Sequence, residues 1–258
     1  MTINDLFLTD WAKWNSAYEA RANFMYVDVK GYVTTGVGNA LFNPEAAILL
    51  DWRYPNGDKA TQEQVRSQFI AIRDNVPARQ MFYTYQKQFT TIRISEDDID
   101  RLVVAKLLEH HKHLTSQYPE FEAWPLDAQW ATHSMAWACG SAFSVPSDRD
   151  PYRFVKLGKL LRAKDFAGAV SQCHMNENGN PGLKPRNIAN KLMFDNAAYV
   201  QDIGMDYGRR YWPDAAKKVW EEENVRDSEG TGEVVESNLG EGPIVHDINS
   251  YFPERNRE

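Results

Sequence analysis

At 258 residues the chain is long enough for one large domain or two small ones with a real core. Hydrophobic residues at 43% and charged residues at 25% are ordinary for a soluble globular protein, and no apolar run approaches the roughly 20 residues of a membrane span. A net charge of −7 without a long basic stripe argues against nucleic acid as a partner.

Met1-Thr2-Ile3-Asn4-Asp5 has neither a basic flank nor an apolar core, so no secretory signal is expected. Phe7, Trp11, Trp14 and Tyr18 then recur at helical period, with the helix beginning near residue 3 or, if Thr9-Asp10 caps it, near residue 10. Glu19 is predicted on this helix, at the margin of the aromatic stripe. That partial removal from water suits a general acid.

Past Phe24 the period drops to two. Met25, Val27 and Val29 alternate with Tyr26, Asp28 and Lys30 as a strand, Lys30-Gly31 reads as a turn, and Tyr32-Val33-Thr34-Thr35 reads as a second strand ended by Gly36-Val37-Gly38. Helix and hairpin together bring Glu19, Asp28 and Thr34 near one another. Two carboxylates and a hydroxyl form a set that can cleave a glycosidic bond, one carboxyl protonating the leaving oxygen while the other activates water or attacks the sugar. The same pattern also fits a solvated helix residue, a turn residue and a β-former. The Gly-x-Gly step, with no third glycine and no following Lys-Ser/Thr, is a weak phosphate signal.

Ala46 to Leu50 is a return segment and Tyr54-Pro55-Asn56-Gly57-Asp58 a turn. Thr61 to Asp74 is a predicted helix, with Thr61 or Ala60 at its start and Val65, Phe69 and Ile72 as its apolar stripe. Tyr83 to Ile94 is ambiguous between strand and loop. Ser95 followed by three acids marks a helix running to about Thr115, on which His110, His111 and His113 are expected to lie on a solvated face rather than to bind a metal.

Tyr118, Phe121, Trp124, Trp130 and Trp137 form an aromatic-dense stretch, mostly core, with Trp137 the one assigned to substrate. Cys139 and Cys173 are read as buried free thiols in helices. A helix over Tyr211 to Glu223 is expected to pack its aromatics, and Asp227 to Gly232 reads as loop.

Glu19, Tyr26, Asp28, Gly31-Tyr32 and Thr34-Thr35-Gly36-Val37-Gly38 together resemble the signature of the phage-type lysozymes, glycoside hydrolase family 24. The register agrees without a gap. Asn39 departs from it, standing where that family often has a His, and is read as structural. Looser similarity continues in Leu126-Asp127-Ala128 to Gly140 (a central core helix), in Phe154 to Cys173 (a pair of short helices) and in Pro185-Arg186-Asn187 (the start of a last family helix).

The resemblance spans roughly residues 3 to 50 and 93 to 205. It implies a mostly helical α+β protein with a two-lobed lysozyme-like fold, a small N-terminal β-hairpin lobe and a larger helical lobe. The catalytic domain would cover residues 1–205 with an insertion at about 51–94, followed by an extension over 206–258. It assigns Glu19 as general acid, Asp28 to the nucleophilic water and Thr34 to holding that water. Arg186 would face the catalytic Glu, and Tyr26 and Trp137 would join it in binding substrate.

The implied activity is that of a muramidase acting on the peptidoglycan glycan strand, without metal or cofactor. The protein would be made in the cytoplasm and act in the periplasm or on the wall of a bacterium. It would do so as a phage endolysin or as a secreted antibacterial toxin with an immunity protein or delivery partner. A glycan-binding module that has lost catalysis, and a chitinase- or chitosanase-like glycosidase, are the alternatives.

Overall fold

The first helix, α1 (Asp5–Asn15), ends sooner than its aromatic period implies. The computed structural model describes residues 5–19, 21–28, 30–146, 154–178, 180 and 182–231. Phe7, Trp11 and Trp14 are buried, and their rings contact one another in series down to Tyr18. The helical placement of Glu19 is corrected. The Tyr18 and Glu19 N–H groups both donate to the Asn15 carbonyl, at 3.0 and 3.1 Å, and this shared acceptor closes the helix, leaving Glu19 in a bend beyond it.

The protein is mostly helical with one small antiparallel sheet, an α+β architecture, and divides into two compact units, Met1–Lys112 and His113–Glu258. In the first unit, β1 (Arg21–Val27), β2 (Val33–Val37) and β3 (Asn39–Leu41) pair in the order β1-β2-β3. The first strand starts four residues earlier than its alternation suggests, with a register irregularity between Ala22 and Tyr26. Val29, assigned to that strand, lies outside the described residues. The turn falls at Lys30-Gly31 as expected, and Gly31 adopts φ +85°, which a side chain rarely tolerates.

Helix α2 (Pro44–Ile48) follows, with the Asn43 side chain accepting from the Ala46 N–H. The turn at Tyr54–Asp58 is closed by backbone bonds of 2.9 Å. Helix α3 (Gln62–Arg73) opens on a complete capping box, in which Thr61 accepts from the Gln64 N–H and the Gln64 side chain accepts from the Thr61 N–H. Val65, Phe69 and Ile72 are its buried stripe. Thr61→Ala should therefore lower stability by about 1 kcal/mol, read as a shifted denaturation midpoint at unchanged slope.

The stretch ambiguous between strand and loop is helical over residues 83–89 and then extended to Ile94, with Arg93 bridged to Arg53. Short α4 (Val76–Arg79) leads to α5 (Tyr83–Gln86) and a 3₁₀ turn at Lys87–Phe89. Helix α6 (Glu96–Gln117) starts where Ser95 and Asp98 exchange side-chain-to-backbone hydrogen bonds. The division between the units falls within it. The solvated-face reading of the histidines is corrected for two of them: His110 and His111 are 7% and 3% exposed. They continue the buried row of Ile99, Val103 and Leu107 towards Leu114 at i+3 and i+4. His113 is exposed, its Nδ1 2.9 Å from the Ser141 hydroxyl.

In the second unit α7 (Leu126–Cys139) is buried on every side from Leu126 to Trp137 and stops at Gly140, φ +90°. The expected pair of short helices is present as α8 (Val155–Arg162) and α9 (Phe166–Val170). Helix α10 (Leu183–Ile203) packs along both α7 and α9. Cys139 ends α7 and is half-buried. Cys173 is buried but lies past α9 rather than in a helix, and burial pushes its thiol up to about 11.

The helix expected from Tyr211 begins later, as α11 (Ala216–Thr231). Tyr211 and Ala216 are nonetheless buried against Val200 of α10, so this segment is part of the second unit's core. The predicted loop is helical through Thr231, and Gly232 lies outside the described residues. Among the described residues, no helix is long and apolar enough to cross a membrane.

Candidate active site

Sheet register places three of the predicted residues on one face. Tyr26 pairs with Thr34 across β1 and β2, and Thr34 pairs with Ala40 across β2 and β3. Directly opposed residues share a face and alternate residues return to it, so Asp28, two residues past Tyr26, belongs to the same side.

Asp28 is held by the turn it opens. Its Oδ1 accepts from the Lys30 and Tyr32 N–H groups, at 2.8 and 2.9 Å, while its own N–H donates to the Tyr32 carbonyl at 2.9 Å. Its Oδ2 lies 3.4 Å from the Thr34 hydroxyl, which is also 3.2 Å from the Tyr32 carbonyl. One carboxylate oxygen is thus bound to backbone and the other faces the Thr34 hydroxyl. Thr34 is buried and Asp28 half-buried, so the pair sits where the sheet emerges towards solvent.

Burial pushes the Tyr26 phenol well above its ordinary range, and the negative charges of Glu19 and then Asp28 push it further the same way. A phenol so shifted stays protonated at neutral pH. Glu19 is itself half-buried. Tyr26 packs against Phe24 and, at 5.5 Å between ring centroids, against Tyr83 of α5.

Gln86 is the residue of this region that the sequence left unmarked. Buried beside the outer edge of β1, it accepts from the Val27 N–H at 2.7 Å and donates to the Val27 carbonyl at 3.0 Å. It acts as one residue of a missing strand and fixes the backbone directly before Asp28. No local signal marks it, since a glutamine in a polar run reads as surface. Asn39 has the structural role expected of it: its Oδ1 accepts from the Val37 N–H at 3.2 Å, closing the tight β2–β3 connection.

Arg186 and Trp137 belong to the second unit. Arg186, on α10, is 1% exposed and donates to the Ser134 hydroxyl of α7 at 3.2 Å. Trp137 is buried near the end of α7. The same unit contains a buried carboxylate, Asp127, which the sequence marks only as part of a helix opening. It accepts from the Tyr211 and Trp212 N–H groups at 2.7 and 3.0 Å and from the Asn196 amide at 3.3 Å. Among the described residues, no group of three or more His, Cys, Asp or Glu is arranged to hold a metal ion.

Neither family models nor curated proteins provide a match to this chain.

Proposed function

We propose that the protein is a glycoside hydrolase of the muramidase type, cutting the peptidoglycan glycan strand between N-acetylmuramic acid and N-acetylglucosamine. The observation that carries this reading is the single sheet face holding Tyr26, Asp28 and Thr34, with the Asp28 carboxylate facing the Thr34 hydroxyl. Glu19 gives its proton to the glycosidic oxygen as the C1–O bond breaks. A water held between Asp28 Oδ2 and the Thr34 hydroxyl attacks C1, its proton passing to Asp28. Because Asp28 Oδ1 is occupied by two backbone donors, Oδ2 is the oxygen assigned to the water.

The direct test is the release of reducing ends from purified peptidoglycan, compared with chitosan. New reducing muramic acid supports the reading, and release from chitosan alone favours the chitosanase alternative. Water activation by Asp28 further predicts inversion, so that a proton NMR time course should show the α-anomer first from the β-linked strand. Initial retention would instead make Asp28 the nucleophile, for which carboxyls about 5–5.5 Å apart are required. In its biological setting this activity fits a wall-lysing enzyme of phage release or of attack on a competing bacterium.

A further inference from the structure

The face that carries Asp28 and Thr34 does not stop at them. Continuing the register one step beyond Val33 and Leu41 pairs Tyr32 with Phe42, in phase with Thr34 and Ala40. The two rings meet as that register requires, 5.7 Å between centroids and 75° between planes. They are also open to solvent, Tyr32 47% and Phe42 76% exposed. Contiguous exposed apolar surface, unlike a single exposed hydrophobic side chain, is where binding sites are found.

We infer that Tyr32 and Phe42 form a sugar-stacking subsite that seats a pyranose ring of a β-linked, N-acetylated glycan next to the cleavage point. This inference rests on the glycosidase reading of Glu19, Asp28 and Thr34. A pyranose presents a face of C–H groups, which packs on the negative face of an aromatic ring, and an uncharged sugar face needs no basic partner. The edge-on contact braces the pair without covering both rings.

Tyr32 is tied to Asp28 through both its backbone groups, its N–H donating to Asp28 Oδ1 and its carbonyl accepting from the Asp28 N–H, each at 2.9 Å. A sugar resting on these rings is thereby registered to the carboxylate that handles the water. Along this face exposure falls from Phe42 through half-buried Asp28 to buried Thr34 and Tyr26.

The test uses full-length protein and uncross-linked glycan strands stripped of peptide. Affinity is measured calorimetrically in a Glu19→Gln background, and turnover is measured in the otherwise wild-type protein. Phe42→Ala and Tyr32→Ala should each raise Kd and KM about tenfold with kcat changed less than twofold, and Phe42→Trp should restore binding. Both alanine variants lose one ring contact at the surface, so unfolding midpoints should move only slightly and alike.

Unchanged Kd and KM in both alanine variants, with the parent protein cleaving strands normally, would overturn the subsite and leave the glycosidase reading intact. Equal losses in Phe42→Ala and Phe42→Trp would overturn it too, since stacking needs only an aromatic face. A parent protein that neither binds nor cleaves the strands would overturn both.

Discussion

Glu19→Gln should lower kcat on peptidoglycan by about 10²-fold or more while leaving the unfolding midpoint unchanged. The amide keeps the shape and hydrogen-bonding reach of the carboxyl but has no proton to give the leaving oxygen. The bend holding Glu19 is made by backbone donation to the Asn15 carbonyl, which the substitution leaves in place. Strand binding should persist, because the loss is confined to the transition state, and KM should move little compared with kcat. Retention of more than a tenth of wild-type turnover by a folded Glu19→Gln protein would remove Glu19 from the mechanism. Asp28→Asn separates a second possibility: a comparable loss there would be consistent with two carboxylates sharing the reaction, whereas near-normal rates would leave the water without its base.

How far this site was readable depends on the distance along the chain over which each part is fixed. The turn at Lys30-Gly31, the Thr61 capping box and the Ser95 cap are set within three or four residues, and residue types alone reveal them. Helix α7, expected only through the lysozyme resemblance, does open at Leu126 and close at Gly140. Glu19 was misplaced because aromatic period continues through Tyr18 while the helix stops at Asn15. The rings keep touching after the backbone has left the helix.

Gln86 was invisible because its partner, Val27, is 59 residues away in sequence, and the value of its amide lies wholly in completing a strand edge. The burial of His110 and His111 was legible in principle, since both fall on the row from Ile99 to Leu114, but the charge of the surrounding run obscured it. Three-residue β3 is too short to alternate and is defined only by its pairing with β2.

Asp127→Ala should be among the most destabilising single changes in the protein, costing about 3–5 kcal/mol, a large share of the stability of an ordinary domain. The carboxylate is 1% exposed at the start of α7 and accepts from two successive backbone N–H groups, Tyr211 and Trp212, and from the Asn196 amide. Asn196 in turn accepts from the Ala216 N–H at 2.8 Å and donates to the Asp214 carbonyl at 2.9 Å. One acid therefore fastens the segment entering α11 to both α7 and α10. Truncation to alanine strands buried donors with no acceptor in reach, each costing about 1–3 kcal/mol.

Burial raises the Asp127 carboxyl above the ordinary aspartate range, against the opposing pull of its hydrogen-bond donors and of Arg210. The folded state then binds more protons than the unfolded one between the ordinary value and the raised one. This group's contribution consequently falls as pH rises through that window, and Asp127→Ala should remove that slope from the stability curve. Proteolysis supplies the structural readout: cleavage in the Tyr211 segment should precede global unfolding in the variant and not in the wild type. A variant that keeps both its midpoint and its protection there would show that the aromatic packing of Tyr211 against Val200 and Ala216 holds the segment without the acid.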